Sequence, residues 1–214
     1  MQYKNITVSG LPGSGSTTLL NQLREALKYD SWTGFSGGEF SRLFAIEQGY
    51  YNKDNSAHHN SQNLPDDFER QVDYGIRHRL ETQNKVIIES WLSGFMAQGV
   101  EGVFKILMTC SNDAVRIDRI VNRDNLTIEE AKHNMNARYE KNMAKWVPLY
   151  RGEWDERVVG RGLATADEPV NFWKPEIYDL VIDTYSTTKA EGLDLVLEKL
   201  GVEPLPMEIE ERSI

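Results

Sequence analysis

A single cysteine, Cys110, leaves no internal disulfide to be formed, which suits a reducing compartment. It closes an apolar run, so a buried inert thiol is expected. No apolar stretch approaches the ~20 residues of a membrane span. The opening MQYKNITVSG lacks the apolar core of a secretory signal. The expectation is a soluble cytoplasmic protein with no membrane partner. Positive charge is also scarce. There are 24 Lys and Arg against 33 Asp and Glu, a net charge of −9, which disfavours the broad basic footprint that a nucleic-acid partner needs. The pair His58-His59 has no third metal ligand at a defined spacing, so it reads as a solvated loop pair. No Ser-His-Asp or Cys-His constellation is found.

What remains is an ordinary composition, 40% hydrophobic and 27% charged, sufficient for one full core. Short β-branched runs alternate with segments of helical period. Strands are expected at residues 4–8, 33–36, 86–89, 103–109 and 180–183. Helices are expected at about 16–28, 39–48, from Asp66-Asp67 through Leu80, 114–123, 127–145 and after Thr188. Thr127 with Glu130, and Thr188 with Glu191, are capping boxes, and Gly201 ends the last helix. Residues 50–64 read as a polar loop. Residues 151–174 have weak periodicity and read as a long connection, functional or mobile. Alternating strands and helices imply a parallel sheet covered on both faces, with ligands bound at the carboxyl ends of its strands.

Directly after the first strand stands GLPGSGSTT, residues 10–18. It approaches the phosphate-loop pattern G-x-x-x-x-G-K-[ST]. Gly10, Gly13 and Gly15 allow successive backbone N–H groups to point into one concavity, and the following helix presents its amino end. Pro12, Ser14 and Thr18 complete the loop, and Thr17 can place a hydroxyl on Mg²⁺. The lysine that should reach the outer phosphates is Ser16. A serine donates one neutral hydrogen bond and cannot neutralise developing charge. Replacement charge is therefore sought elsewhere. Between Asp113 and Arg161 there are ten basic and nine acidic residues, whereas the rest of the chain carries −10. Arg116, Arg119 and Arg123 share one side of a helix, and Arg151, Arg157, Arg161 and Lys174 are further candidates.

The order of these motifs resembles the nucleoside monophosphate kinases, and most closely the archaeal-type cytidylate kinases, over about residues 3–200. The resemblance implies an α/β fold, a P-loop NTPase three-layer α/β/α sandwich with a five-stranded parallel sheet, carrying acceptor-binding and lid insertions. It divides a single kinase domain, 1–201, into an acceptor region of about 37–85, lid helices of about 113–150 and an insertion at 151–175. An acidic tail, 202–214, follows. Gly38, Glu39 and Arg42 match the family's G-E-x-x-R element beside the acceptor. Glu69 and Asp73 match its paired acids; a plain solvated face, with Asp73 bridging Arg77, is the alternative. Glu89 and Gly94 match the signature after the third strand, but the arginine of that signature is Trp91, either a stacking surface or core. Arg119, Arg123 and Arg138 match lid arginines that act on the transferring group, whereas Glu140 stands where another arginine is common.

The resemblance implies phosphoryl transfer from a nucleoside triphosphate, ATP with Mg²⁺, to a nucleoside monophosphate of the CMP or dCMP kind. It also implies a monomer or weak dimer. Two lost cations keep two alternatives open: a degenerate nucleotide sensor, and a P-loop kinase of another small metabolite.

Overall fold

The computed structural model describes residues 3–51 and 64–202. Five strands, β1 (Asn5–Gly10), β2 (Thr33–Ser36), β3 (Val86–Glu89), β4 (Val103–Thr109) and β5 (Leu180–Asp183), form one sheet in the order β2-β3-β1-β4-β5. Every pairing is parallel. The helices are α1 (Ser16–Ala26), α2 (Gly37–Glu47), α3 (Phe68–Thr82), α4 (Ser93–Met96), α5 (Asp113–Asp124), α6 (Ile128–Leu149), α7 (Arg151–Arg157) and α8 (Lys189–Leu200).

Successive strand residues point to opposite faces, so a fully buried strand feeds two cores. Ile87 joins one with Ile6, Val8, Leu20, Leu23 and Val196, under α1 and α8. Ile88 joins the other with Phe40, Ile76, Phe95, Trp154 and Phe172, under α2, α3, α4 and α7. The sandwich is thus three-layered, and truncating a leucine such as Leu20 or Leu23 to alanine costs roughly 2–5 kcal/mol. Both predicted capping boxes form, at Thr127 and Thr188, and a third forms at Ser36 with Glu39.

Three points differ from expectation. The stretch after 150 contains α7, and Trp154, Val158 and Phe172 there are fully buried. It packs against Phe95 as a cover over the sheet (Phe95 and Phe172 ring centroids are 4.7 Å apart) rather than forming a free connection. Its buried residues come from one short helix and two turns, so no helical period runs through them. The helix from Thr127 runs to Leu149, four residues past the expected end, and carries Pro148 in its last turn. The short α4, Ser93–Met96, has no periodic signature and was not expected. His58 and His59 lie outside the described residues, as does the acidic tail beyond Val202. Cys110 is buried, as expected.

Candidate active site

The central strand β1 delivers Gly10 to the carboxyl edge of the sheet, and the chain turns through Leu11–Gly15 into α1. The turn needs Gly13 and Gly15, whose φ values are +82° and +91°. At Gly13 there is a second constraint, because a Cβ would stand 2.6 Å from the Arg116 carbonyl oxygen. No acidic side chain occupies the first turn of α1, so its positive end is open to an anion.

Ser16 is buried and Thr17 is exposed at the same helix start. The Ser16 hydroxyl donates to Glu89 Oε1 at 2.7 Å. Burial pushes the Glu89 carboxyl up from its ordinary range, partly countered by the Ser16 and Thr17 hydroxyls. Together Thr17 and Glu89 present only oxygen. That donor set suits a hard Mg²⁺ that brings phosphate and water oxygens of its own. Among the described residues no cluster of three or more His, Cys, Asp or Glu could form an all-protein metal cage.

One cavity of about 1250 Å³ is lined by this loop, by Glu69, Val72 and Asp73 of α3, and by α6 from Arg138 to Trp146. Gly10, Pro12, Gly13, Gly15, Ser16, Thr17 and Thr18 line one end of it. Glu89 lines it beside Ser16, and Gly38, Asp73, Trp91, Arg119, Arg123 and Arg138 also line it. Ser14 is buried under the loop, its hydroxyl without a partner.

Several expected residues are used differently. Glu39 caps α2 through the Ser36 N–H, pairs with Arg24, and does not line the cavity. Arg42 is exposed on α2, outside the cavity lining. Gly94 is buried below the site, where a Cβ would stand 2.3 Å from the Tyr178 ring, so it admits α4 close to β1 without facing the cavity. Arg77 pairs with Glu81 at 2.8 Å, not with Asp73. Asp73 instead accepts from the Tyr150 hydroxyl at 2.6 Å. Burial raises the Asp73 carboxyl to about 7, offset in part by that hydrogen bond, and Glu69 adds to the rise. Of the four cations beyond Tyr150, Arg151 pairs with Asp155 and Lys174 with Glu168, and none of the four lines the cavity.

The arginines of α5 divide. Arg119 donates to the Gly13 carbonyl at 3.1 Å, the Thr184 hydroxyl at 2.7 Å and the Thr184 carbonyl at 2.9 Å. It therefore clamps the phosphate loop to the end of β5. Arg123 is held by its neighbour Asp124 through two 2.7 Å bonds. On α6, the Arg138 guanidinium lies 4.6 Å from the centre of the Trp91 ring. Trp91 is half-buried, edge-on to Trp146 and Trp173. It is core on one side and cavity wall on the other. Sequence reading missed Lys141, Lys145, Lys189 and Thr184, all on the cavity. Arg138, Lys141 and Lys145 recur at i, i+3 and i+7, a visible signal on a helix face.

A glycine loop at the carboxyl end of the central strand, in a parallel sheet of this order, with cationic walls over the loop, defines a P-loop phosphotransferase. The family model described as "AAA domain" matches residues 6–141. A cytidylate kinase of Haloarcula marismortui is 31% identical over 193 residues, 87% of this chain and 93% of its own length. One of Methanosarcina acetivorans is 28% identical over 89% of this chain and 93% of its own. The solved structure of an uncharacterized protein from Eubacterium ventriosum shares the fold, with a TM-score of 0.57 and 13% identity over 94% of this chain and 99% of its own. The chain belongs to the cytidylate kinase family of P-loop kinases and is a nucleoside monophosphate kinase-like phosphotransferase.

Proposed function

We propose that the chain transfers the γ-phosphoryl group of ATP to a nucleoside monophosphate of the CMP or dCMP kind. The observation that carries this reading is the single cavity joining the phosphate loop to Asp73 and Trp91. Donor and acceptor would meet inside one chamber, which brings the reacting oxygens together and limits water. The loop N–H groups and the start of α1 would hold the donor phosphates. Thr17 and Glu89 would hold Mg²⁺, which would supply positive charge against the donor phosphates. Arg119 keeps the loop in register, and Arg123 and Arg138 would act as lid cations on the phosphoryl groups. Gly38, Asp73 and Trp91 would surround the acceptor. Glu39, Arg42 and Gly94 would support its binding region from outside the cavity.

The test is nucleotide consumption with ATP, Mg²⁺ and a panel of monophosphates, with products resolved. Turnover of CMP or dCMP ahead of other acceptors is the expected result. Turnover of a different phosphorylatable metabolite alone would replace the acceptor. The Ser16–Glu89 bond favours a second reading, a nucleotide sensor, because the loop cation is replaced by a neutral hydroxyl. Tight nucleotide binding with no product from any acceptor would establish it.

A further inference from the structure

Two cation positions of the family are filled here by neutral side chains, Ser16 in the loop and Trp91 after β3. The structure supplies positive charge on α6 instead. Arg138, Lys141 and Lys145 occupy one face of that helix and all line the cavity. Their surroundings differ. Lys145 is paired with Glu69 at 2.5 Å. Arg138 rests on the Trp91 ring. Lys141 has no ion pair or side-chain hydrogen bond among the described residues, so its charge is available to an anion in the cavity.

Its position indicates which anion. One turn before it, Arg138 is braced on Trp91. One turn after it, Lys145 reaches Glu69 on α3, the helix that carries Asp73. These contacts tie the α6 row to α3 and Trp91, whereas Arg119 bonds Gly13 of the phosphate loop and Thr184. An indole offers a phosphate no positive charge, but its face can hold a guanidinium in a fixed place.

We propose that Lys141, with Arg138 braced on Trp91, grips the phosphate monoester of the acceptor, in place of the arginine that Trp91 displaces. This rests on the kinase reading above. The indole gives up a direct contact and provides a platform for a lid cation. The acceptor phosphate would then be held by α6, so its grip forms as the lid helix settles over the cavity. The ligand class is a small phosphate monoester, and its unphosphorylated parent should bind far less well.

The test compares binding of CMP and cytidine by calorimetry, on the full chain, in wild type and in Lys141→Met and Lys141→Arg. Wild type should prefer CMP; Lys141→Met should reduce that preference about tenfold, and Lys141→Arg should keep most of it. In turnover, Lys141→Met should raise the acceptor KM about tenfold with the ATP KM unchanged. Adding Trp91→Arg to Lys141→Met should restore the acceptor KM, and adding Ser16→Lys should not. An unchanged preference for CMP in Lys141→Met overturns the proposal, as does rescue by Ser16→Lys alone, which would place Lys141 on the donor. If wild type turns over no acceptor, the kinase reading fails, and the calorimetric comparison still decides Lys141. If Trp91→Arg does not fold, the KM and calorimetric comparisons of the Lys141 variants decide it without the rescue.

Discussion

The Ser16 hydroxyl and Glu89 Oε1 are 2.7 Å apart, a buried contact between the start of α1 and the end of β3. It lies where the phosphate-loop pattern G-x-x-x-x-G-K-[ST] calls for a lysine. Ser16→Lys would put an ammonium beside a carboxylate already pushed up by burial. The new charge should pair with Glu89 and extend toward the outer phosphates, tightening triphosphate binding relative to diphosphate. Calorimetry with ATP and ADP checks this, and an unchanged ratio would mean that another cation already serves the outer phosphate. Ser16→Ala should instead lower stability by about 1–2 kcal/mol, because it leaves a buried acceptor unpaired.

Gly13 and Gly15 should respond differently to alanine. Both have left-handed backbone, which costs an alanine roughly 1–2 kcal/mol. At Gly15 the nearest group to an added Cβ is the Thr184 methyl at 3.4 Å, an ordinary contact, whereas at Gly13 it is backbone of α5 at 2.6 Å. Gly13→Ala must therefore displace the loop or α5 and should be the more destabilising, with nucleotide binding lost along with it. Denaturant midpoints for the two variants, with ATP titrations, test the order. Equal midpoints would contradict the close approach.

Arg119 offers a planar fork to three acceptors on two segments. Lysine cannot reproduce that geometry. Arg119→Lys should weaken donor binding nearly as much as Arg119→Ala. Arg123→Ala should leave donor affinity nearly unchanged and lower kcat about tenfold, equivalent to ~1.36 kcal/mol. Single-turnover rates and ATP dissociation constants separate the two roles. Wild-type donor affinity in Arg119→Lys would show the clamp to be dispensable.

Asp73 gives a pH signature. Its carboxyl is raised to about 7 in the folded state from an ordinary 3.8. Between those values the unfolded chain loses its proton while the folded chain keeps it. Stability from this group is therefore full below about pH 4, falls as pH rises toward 7, and is flat above. Asp73→Asn keeps an acceptor for the Tyr150 hydroxyl and removes the titration. Relative to wild type it should gain stability from pH 5 to pH 8, by an amount on the order of 1–3 kcal/mol. Denaturant titrations at the two pH values measure the difference, and parallel profiles would refute the raised carboxyl.

The local signals of the sequence carried far. Short β-branched or continuous apolar runs mark the strands, and helical period or a capping box marks all but the two shortest helices, α4 and α7, because these signals are local to the chain. Gly13 and Gly15 marked the loop because a positive φ is a local demand on residue type. The capping boxes at Thr127 and Thr188 closed for the same reason, since their partners lie three residues away. Tertiary structure decided the partners of each charge. Asp73 meets Tyr150, 77 residues along the chain, and not Arg77 four residues away. Arg119 meets Gly13 and Thr184, 106 and 65 residues distant. The Arg138–Lys141–Lys145 row is written in the sequence, but that it faces the phosphate loop across one cavity follows from the packing of α6 over the sheet. Spacing tells which side chains share a face, and only packing tells what that face meets.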